Sequence, residues 1–133
     1  MLVLMTSDKK PMTSAAGIAL ALCMLLFVSP GVAEPTEKVD TTIQYLMKTV
    51  SGSGLTFIRN GNRATPEKAA EHMSRKYEHF RDDIETPEDF IELCATKSLL
   101  TGKPYMVVDG QGRERRTSDW LRTELAEYQE HNR

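Results

Sequence analysis

Five polar residues stand beside apolar segments where chemistry could be done: Arg59, Asn60, His72, Lys76 and Tyr105. Arg59 and Asn60 end the short apolar run Leu55–Ile58, and Asn60 leads into Gly61. Lys68, His72 and Lys76 recur every four residues, so a helix through them sets all three along one edge. If the Leu55 strand lies against that helix, a guanidinium, an imidazole and an ammonium converge, a set suited to a phosphate or a carboxylate. The same residues have an architectural use. The Arg59 stem can pack with Leu55 and Phe57 while its guanidinium meets an acid or helix-end carbonyls. Asn60 can serve a turn, and His72 can be a bonded helix-edge histidine. Buried or half-buried polar groups more often serve structure. The expectation is therefore that Arg59-Asn60 closes the strand and locks the turn, with ligand binding at these five residues as the sharper alternative.

Other chemistry finds less support. Zinc sites need closely spaced Cys or His pairs. His72 and His79 lie two helical turns apart, and His131 is far along the chain, so no metal site and no cofactor are expected. Ser98 with His72, oriented by Asp89 or Glu88, would make a hydrolytic set if the fold gathered them, but no GxSxG elbow is present. Cys94 falls on the apolar side of a helix, where thiols are inert. Asp82, Asp83, Glu85, Glu88 and Asp89 could supply a carboxylate pair for glycoside cleavage, but they read as a solvated loop and helix start.

The elements that would position these residues follow from apolar spacing. Val39, Ile43, Leu46, Met47 and Val50 recur at three and four, which predicts a helix over 39–50, ended by Ser51-Gly52-Ser53-Gly54. Leu55–Arg59 reads as a strand, and Asn60-Gly61 as a turn. Thr65-Pro66 opens a second helix whose buried stripe is Ala69, Met73, Tyr77, Phe80 and Ile84. Thr86-Pro87-Glu88-Asp89 opens a third, burying Phe90, Ile91 and Cys94 and ending before Gly102. Tyr105–Val108 is a second strand. Asp109–Gly112 is a turn, and Arg113–Arg116 an edge strand whose charges discourage pairing. Thr117 or Ser118 should cap a last helix with Trp120, Leu121, Leu125 and Tyr128 on its apolar face. The expected fold is α+β and helix-rich, a single domain of about four helices with a small two- or three-stranded antiparallel sheet.

The amino terminus sets the expected location. Lys9-Lys10, the apolar run Ala15–Val28, the breaker Ser29-Pro30 and the small residues Gly31 and Ala33 form the three parts of a secretory signal. The run is short of the ~20 residues of a comfortable span, so residues 1–33 are expected to be a cleaved signal peptide and 34–133 the mature domain. No stable membrane span then remains. Loss of one acid (Asp8) and two bases (Lys9, Lys10) takes the formal net charge from −2 to −3. Nucleic acid is not an expected partner of such a chain. The mature part keeps one cysteine, Cys94, which cannot form an internal disulfide.

Taken in order, Phe57-Ile58-Arg59-Asn60-Gly61, Ala69 with His72-Met73 and Lys76, Thr86 with Glu88, Phe90-Ile91, Ser98 with Thr101-Gly102, Pro104-Tyr105 and Trp120-Leu121 resemble the YfeK-like family of small secreted bacterial proteins, a domain of unknown function. The resemblance spans nearly the whole of residues 34–133. It implies a secreted, periplasmic, one-domain protein of a Gram-negative bacterium and imports no reaction. The leading expectation is a non-enzymatic binding or structural accessory of the cell envelope, its partner an envelope protein or a small anionic ligand. The alternative is a small periplasmic hydrolase using His72 and Ser98. Oligomeric state has no signature in these residues.

Overall fold

The computed structural model describes residues 35–133, so the expected signal peptide and its cleavage point lie outside the described residues. Four helices and four strands follow one another as α1 (Glu37–Ser51), β1 (Thr56–Arg59), β2 (Asn62–Ala64), α2 (Pro66–Phe80), α3 (Pro87–Ala95), β3 (Met106–Val108), β4 (Glu114–Arg116) and α4 (Thr117–His131), with a single 3-10 turn at Arg81–Asp83. The helix-rich α+β architecture is as expected, but the sheet has four strands, ordered β2-β1-β3-β4 and antiparallel throughout.

Local chemistry accounts for most of the element starts. Thr36 accepts a hydrogen bond from the Val39 amide at the head of α1, and Thr65 accepts one from Lys68 at the head of α2, with Pro66 in the first helical turn. At the head of α3, Thr86 and Asp89 form a reciprocal capping box. The Glu85 and Thr86 amides both donate to the acid there. Burial works against the Asp89 carboxylate, yet the Thr86 side chain and the Glu85 and Thr86 amides outweigh it and hold its pKa below the ordinary value.

Two starts differ from expectation. The return strand β2 was not anticipated: Asn62-Arg63-Ala64 is short, and its residues are exposed or half-exposed, so no apolar alternation marks it. It forms because Asn60 and Gly61, with φ of 52° and 78°, make a two-residue hairpin turn that sets Arg59 opposite Asn62. Helix α4 is the second. Neither Thr117 nor Ser118 caps it. Arg116 takes the N-cap position without a side-chain bond, and Thr117 and Ser118 are both buried. The Thr117 amide donates instead to the Tyr105 carbonyl at 2.9 Å, which ties the helix start to the sheet. Its hydroxyl is left without a partner among the described residues.

The core lies between the sheet and the helices. Helix α1 packs on α2, α3 and α4. The sheet meets α2 through β1, and α4 through β3 and β4. Phe57 of β1 meets Trp120 of α4 with ring centroids 5.8 Å apart. Ile43, Leu46, Ile84, Phe90, Ile91 and Leu121 are fully enclosed. Cys94 is a free, buried thiol, and burial pushes its pKa up to about 12 against the pull of Lys76. Residues 35–133 thus enclose their own apolar core, the condition for a unit that folds by itself. Among the described residues no helix is long and apolar enough to cross a membrane.

Candidate functional site

Strand β1 ends beside α2, and this juxtaposition brings Arg59 to His72. One terminal nitrogen of Arg59 lies 2.7 Å from His72 Nδ1 and 3.0 Å from Nε2. His72 Nε2 lies 3.1 Å from the Tyr105 hydroxyl, and the two rings meet edge to face at 5.8 Å. Arginine can only donate. The nearer nitrogen, Nδ1, is therefore assigned as acceptor, and Nε2 carries the proton and donates to Tyr105. That leaves the tyrosine's own proton for another acceptor.

The electrostatics fit this assignment. Burial, then the charges of Arg59, Lys76 and Arg75, bring the pKa of His72 down to about 4, so the ring is neutral near pH 7. Tyr105 is raised by burial, with Arg59 pulling the other way, so its hydroxyl stays protonated. Arg59 has no carboxylate partner among the described residues. Of its five donors, only one, aimed at Nδ1, is engaged among the described residues. The expected acid or helix-end carbonyl is replaced by a neutral imidazole.

Arg59, Asn60, His72 and Tyr105 line a cavity of about 340 Å³. Its wall adds Asn62, Arg63, Lys68, Glu71 and Arg75. Glu71 pairs with Arg75 one turn along the same helix, so the wall's one carboxylate is already engaged. Four cationic side chains therefore face one acid in a chain whose formal net charge is −2.

Lys76 is brought to the cluster but not to the cavity. It is 7% exposed. Its ammonium donates to the Lys97 carbonyl at 3.1 Å and lies 5.2 Å from the centre of the Tyr105 ring. Burial chiefly, with some push from Arg59, lowers its pKa. Asn60 does two things at once. Its backbone makes the hairpin turn, while its side chain donates to Ser98 Oγ at 3.2 Å and accepts from Thr101 Oγ1 at 2.6 Å.

The hydrolytic set is not assembled. Ser98 is bonded to Asn60, does not line the cavity, and has no hydrogen bond to His72 among the described residues. Asp89 is occupied as a helix cap. No three His, Cys, Asp or Glu side chains among the described residues group closely enough to hold a metal ion.

Sequence reasoning missed Arg63 and Arg75 as wall residues. The signal for Arg63 was present, because a two-residue Asn-Gly turn after a strand calls for a return strand at once. For Arg75 there was none, since helical spacing alone does not say which edge borders a cavity.

No solved structure matches the chain. The Uncharacterized protein YfeK of Salmonella typhimurium is 34% identical over 89 residues, 66% of this chain and 74% of that protein. The model of a family of unknown function, DUF5329, matches residues 37–129, which takes in every element from α1 to most of α4. The chain belongs to that family, and the Arg59–His72–Tyr105 cavity lies wholly within the matched span.

Proposed function

We propose that the chain is an exported, periplasmic binding domain of the bacterial cell envelope, without catalytic activity, whose cavity takes a small anionic group, a phosphate or a carboxylate. The observation that carries this reading is the Arg59 guanidinium: it lines the cavity, has no acid partner among the described residues, and is bonded on one nitrogen to a neutral imidazole. Planar donor pairs of this kind match carboxylate and phosphate oxygens. The Tyr105 hydroxyl, receiving a bond from His72, supplies a further donor. Ser98 being tied to Asn60 favours binding over hydrolysis.

The test is titration of inorganic phosphate, and separately of acetate, into residues 35–133, followed by the side-chain NMR signals of Arg59 and His72. A saturable shift is expected. It should vanish in Arg59→Ala, whose melting temperature should change little because no ion pair is broken. Absence of any saturable shift with either anion would remove the reading. A large fall in melting temperature for Arg59→Ala would return the residue to a structural role. Export is checked by fractionating a Gram-negative host. The mature chain starting near Glu34 belongs in the periplasmic fraction, and full-length chain confined to the cytosol would contradict it.

A further inference from the structure

The loop between α3 and β3 ends in two leucines that the fold leaves in water. Leu99 is 65% exposed and Leu100 94%. They are held in place there. The Ser98 amide donates to the Lys103 carbonyl at 3.0 Å, and the Gly102 amide to the Ser98 carbonyl at 2.9 Å, which closes the loop on itself. Asn60 grips it on both sides of the leucines, through Ser98 and Thr101. Ser98, the residue before the pair, is itself buried. A loop with this many fixed bonds does not expose two large apolar side chains through disorder.

The two segments joined at this tip carry one sign of charge. Residues 96–104 hold Lys97 and Lys103 and no Asp or Glu, and residues 59–64, the hairpin joined to the loop through Asn60, hold Arg59 and Arg63 and again no acid. The chain as a whole is acidic, so the acid-free end is a local departure.

We propose that this end of the molecule docks on an anionic lipid bilayer, with Leu99 and Leu100 entering the headgroup–acyl boundary and Lys97, Lys103 and Arg63 lying against the phosphates. A protruding apolar pair within a cationic collar is complementary to such a surface in both respects, since apolar insertion and attraction to anionic headgroups add. A nucleic acid would satisfy the collar and leave the leucines in water. Arg63 also lines the cavity, whereas Leu99 and Leu100 do not, so the test rests on the two leucines.

The experiment is sedimentation of residues 35–133 with vesicles of phosphatidylglycerol and phosphatidylcholine, and with vesicles of phosphatidylcholine alone, at low salt. The protein should sediment with the anionic vesicles and stay in solution with the neutral ones. The Leu99→Ser, Leu100→Ser double variant should bind the anionic vesicles at least roughly tenfold more weakly. Its melting temperature should be unchanged, because neither side chain packs in the core. Two results would each overturn the proposal: a wild-type chain that stays in solution with anionic vesicles, as a protein-docking tip would, or a double variant that sediments as well as wild type.

Discussion

Tyr77 and Tyr105 are seated by the same kinds of contact and end differently. Each is nearly buried, at 1% and 6% exposure. Each ring meets an aromatic partner edge to face, Tyr77 against Phe90 at 5.9 Å and Tyr105 against His72 at 5.8 Å. Each lies under a cation, Arg81 at 5.4 Å and Lys76 at 5.2 Å. The difference is at the hydroxyl. Tyr77 donates to the Asp40 carboxylate at 2.6 Å, joining α2 to α1, and burial together with that bond pushes its pKa up to about 12. Tyr105 meets a neutral imidazole and faces the cavity. A closing acid makes one tyrosine a fastener, and its absence leaves the other with a donor for a ligand. Ring packing alone does not distinguish the two tyrosines; the partner of the polar tip does.

Removing only the two hydroxyls sharpens the comparison most. Tyr77→Phe breaks a bond to a charged acceptor and should cost about 2 kcal/mol, a fall in melting temperature on the order of 10 °C for a domain of this size. Tyr105→Phe should cost less than about 1 kcal/mol in the same thermal scan, and should weaken phosphate binding roughly fivefold in the titration above. Equal falls in melting temperature would break the contrast.

The Tyr105 side has a second unfinished group. Thr117, whose amide bonds the Tyr105 carbonyl, buries its hydroxyl without a partner among the described residues. Thr117→Val keeps the shape and removes the unpaired group, so it should stabilise the domain by about 1 kcal/mol in denaturant unfolding. A loss of stability would mean that the hydroxyl is bonded in solution.

The smallest effect is with pH. The folded pKa of His72, about 4, lies below the ordinary 6.5. Between those values the unfolded chain takes up a proton that the folded one refuses, so this contribution is present above pH 6.5 and is lost as pH falls toward 4. The ring is partly exposed, and solvent screening keeps the slope shallow. His72→Gln should flatten the stability–pH curve in this window, and an unchanged slope would detach His72 from it.

What was legible in the sequence was what short stretches decide by themselves. Thr65-Pro66 and Thr86-Pro87 start helices through their own side chains, and the stripe from Ala69 to Tyr77 is buried as its spacing implies. The approach of Arg59 to His72 followed from helical spacing and one assumed strand–helix contact, whereas nothing local placed Tyr105 beside them. The rest depended on tertiary partners. Whether Arg59 would find an acid is decided by which side chains α2 presents to it, and Lys76 is kept from the cavity wall with its ammonium bonded to the Lys97 carbonyl. The cap expected at Thr117 lost to a strand neighbour that no local rule names.

The register of the sheet bears on the order in which the site comes into being. β1 pairs with β2 across two residues, and α2 follows at once, so Arg59 and His72 are near neighbours along the chain. β1 pairs with β3 only when Thr56 meets Val108, with α2 and α3 intervening. Closing that long loop carries the larger entropy, so the expected order is hairpin and helices first, β3 last. Tyr105 directly precedes β3 and arrives with it. A growing or partly folded chain would therefore hold the arginine and the histidine together but lack the phenol between them and the lysine. On the proposed reading, the cavity would become competent only when β3 joins β1, and incompletely folded molecules would not compete for an anion.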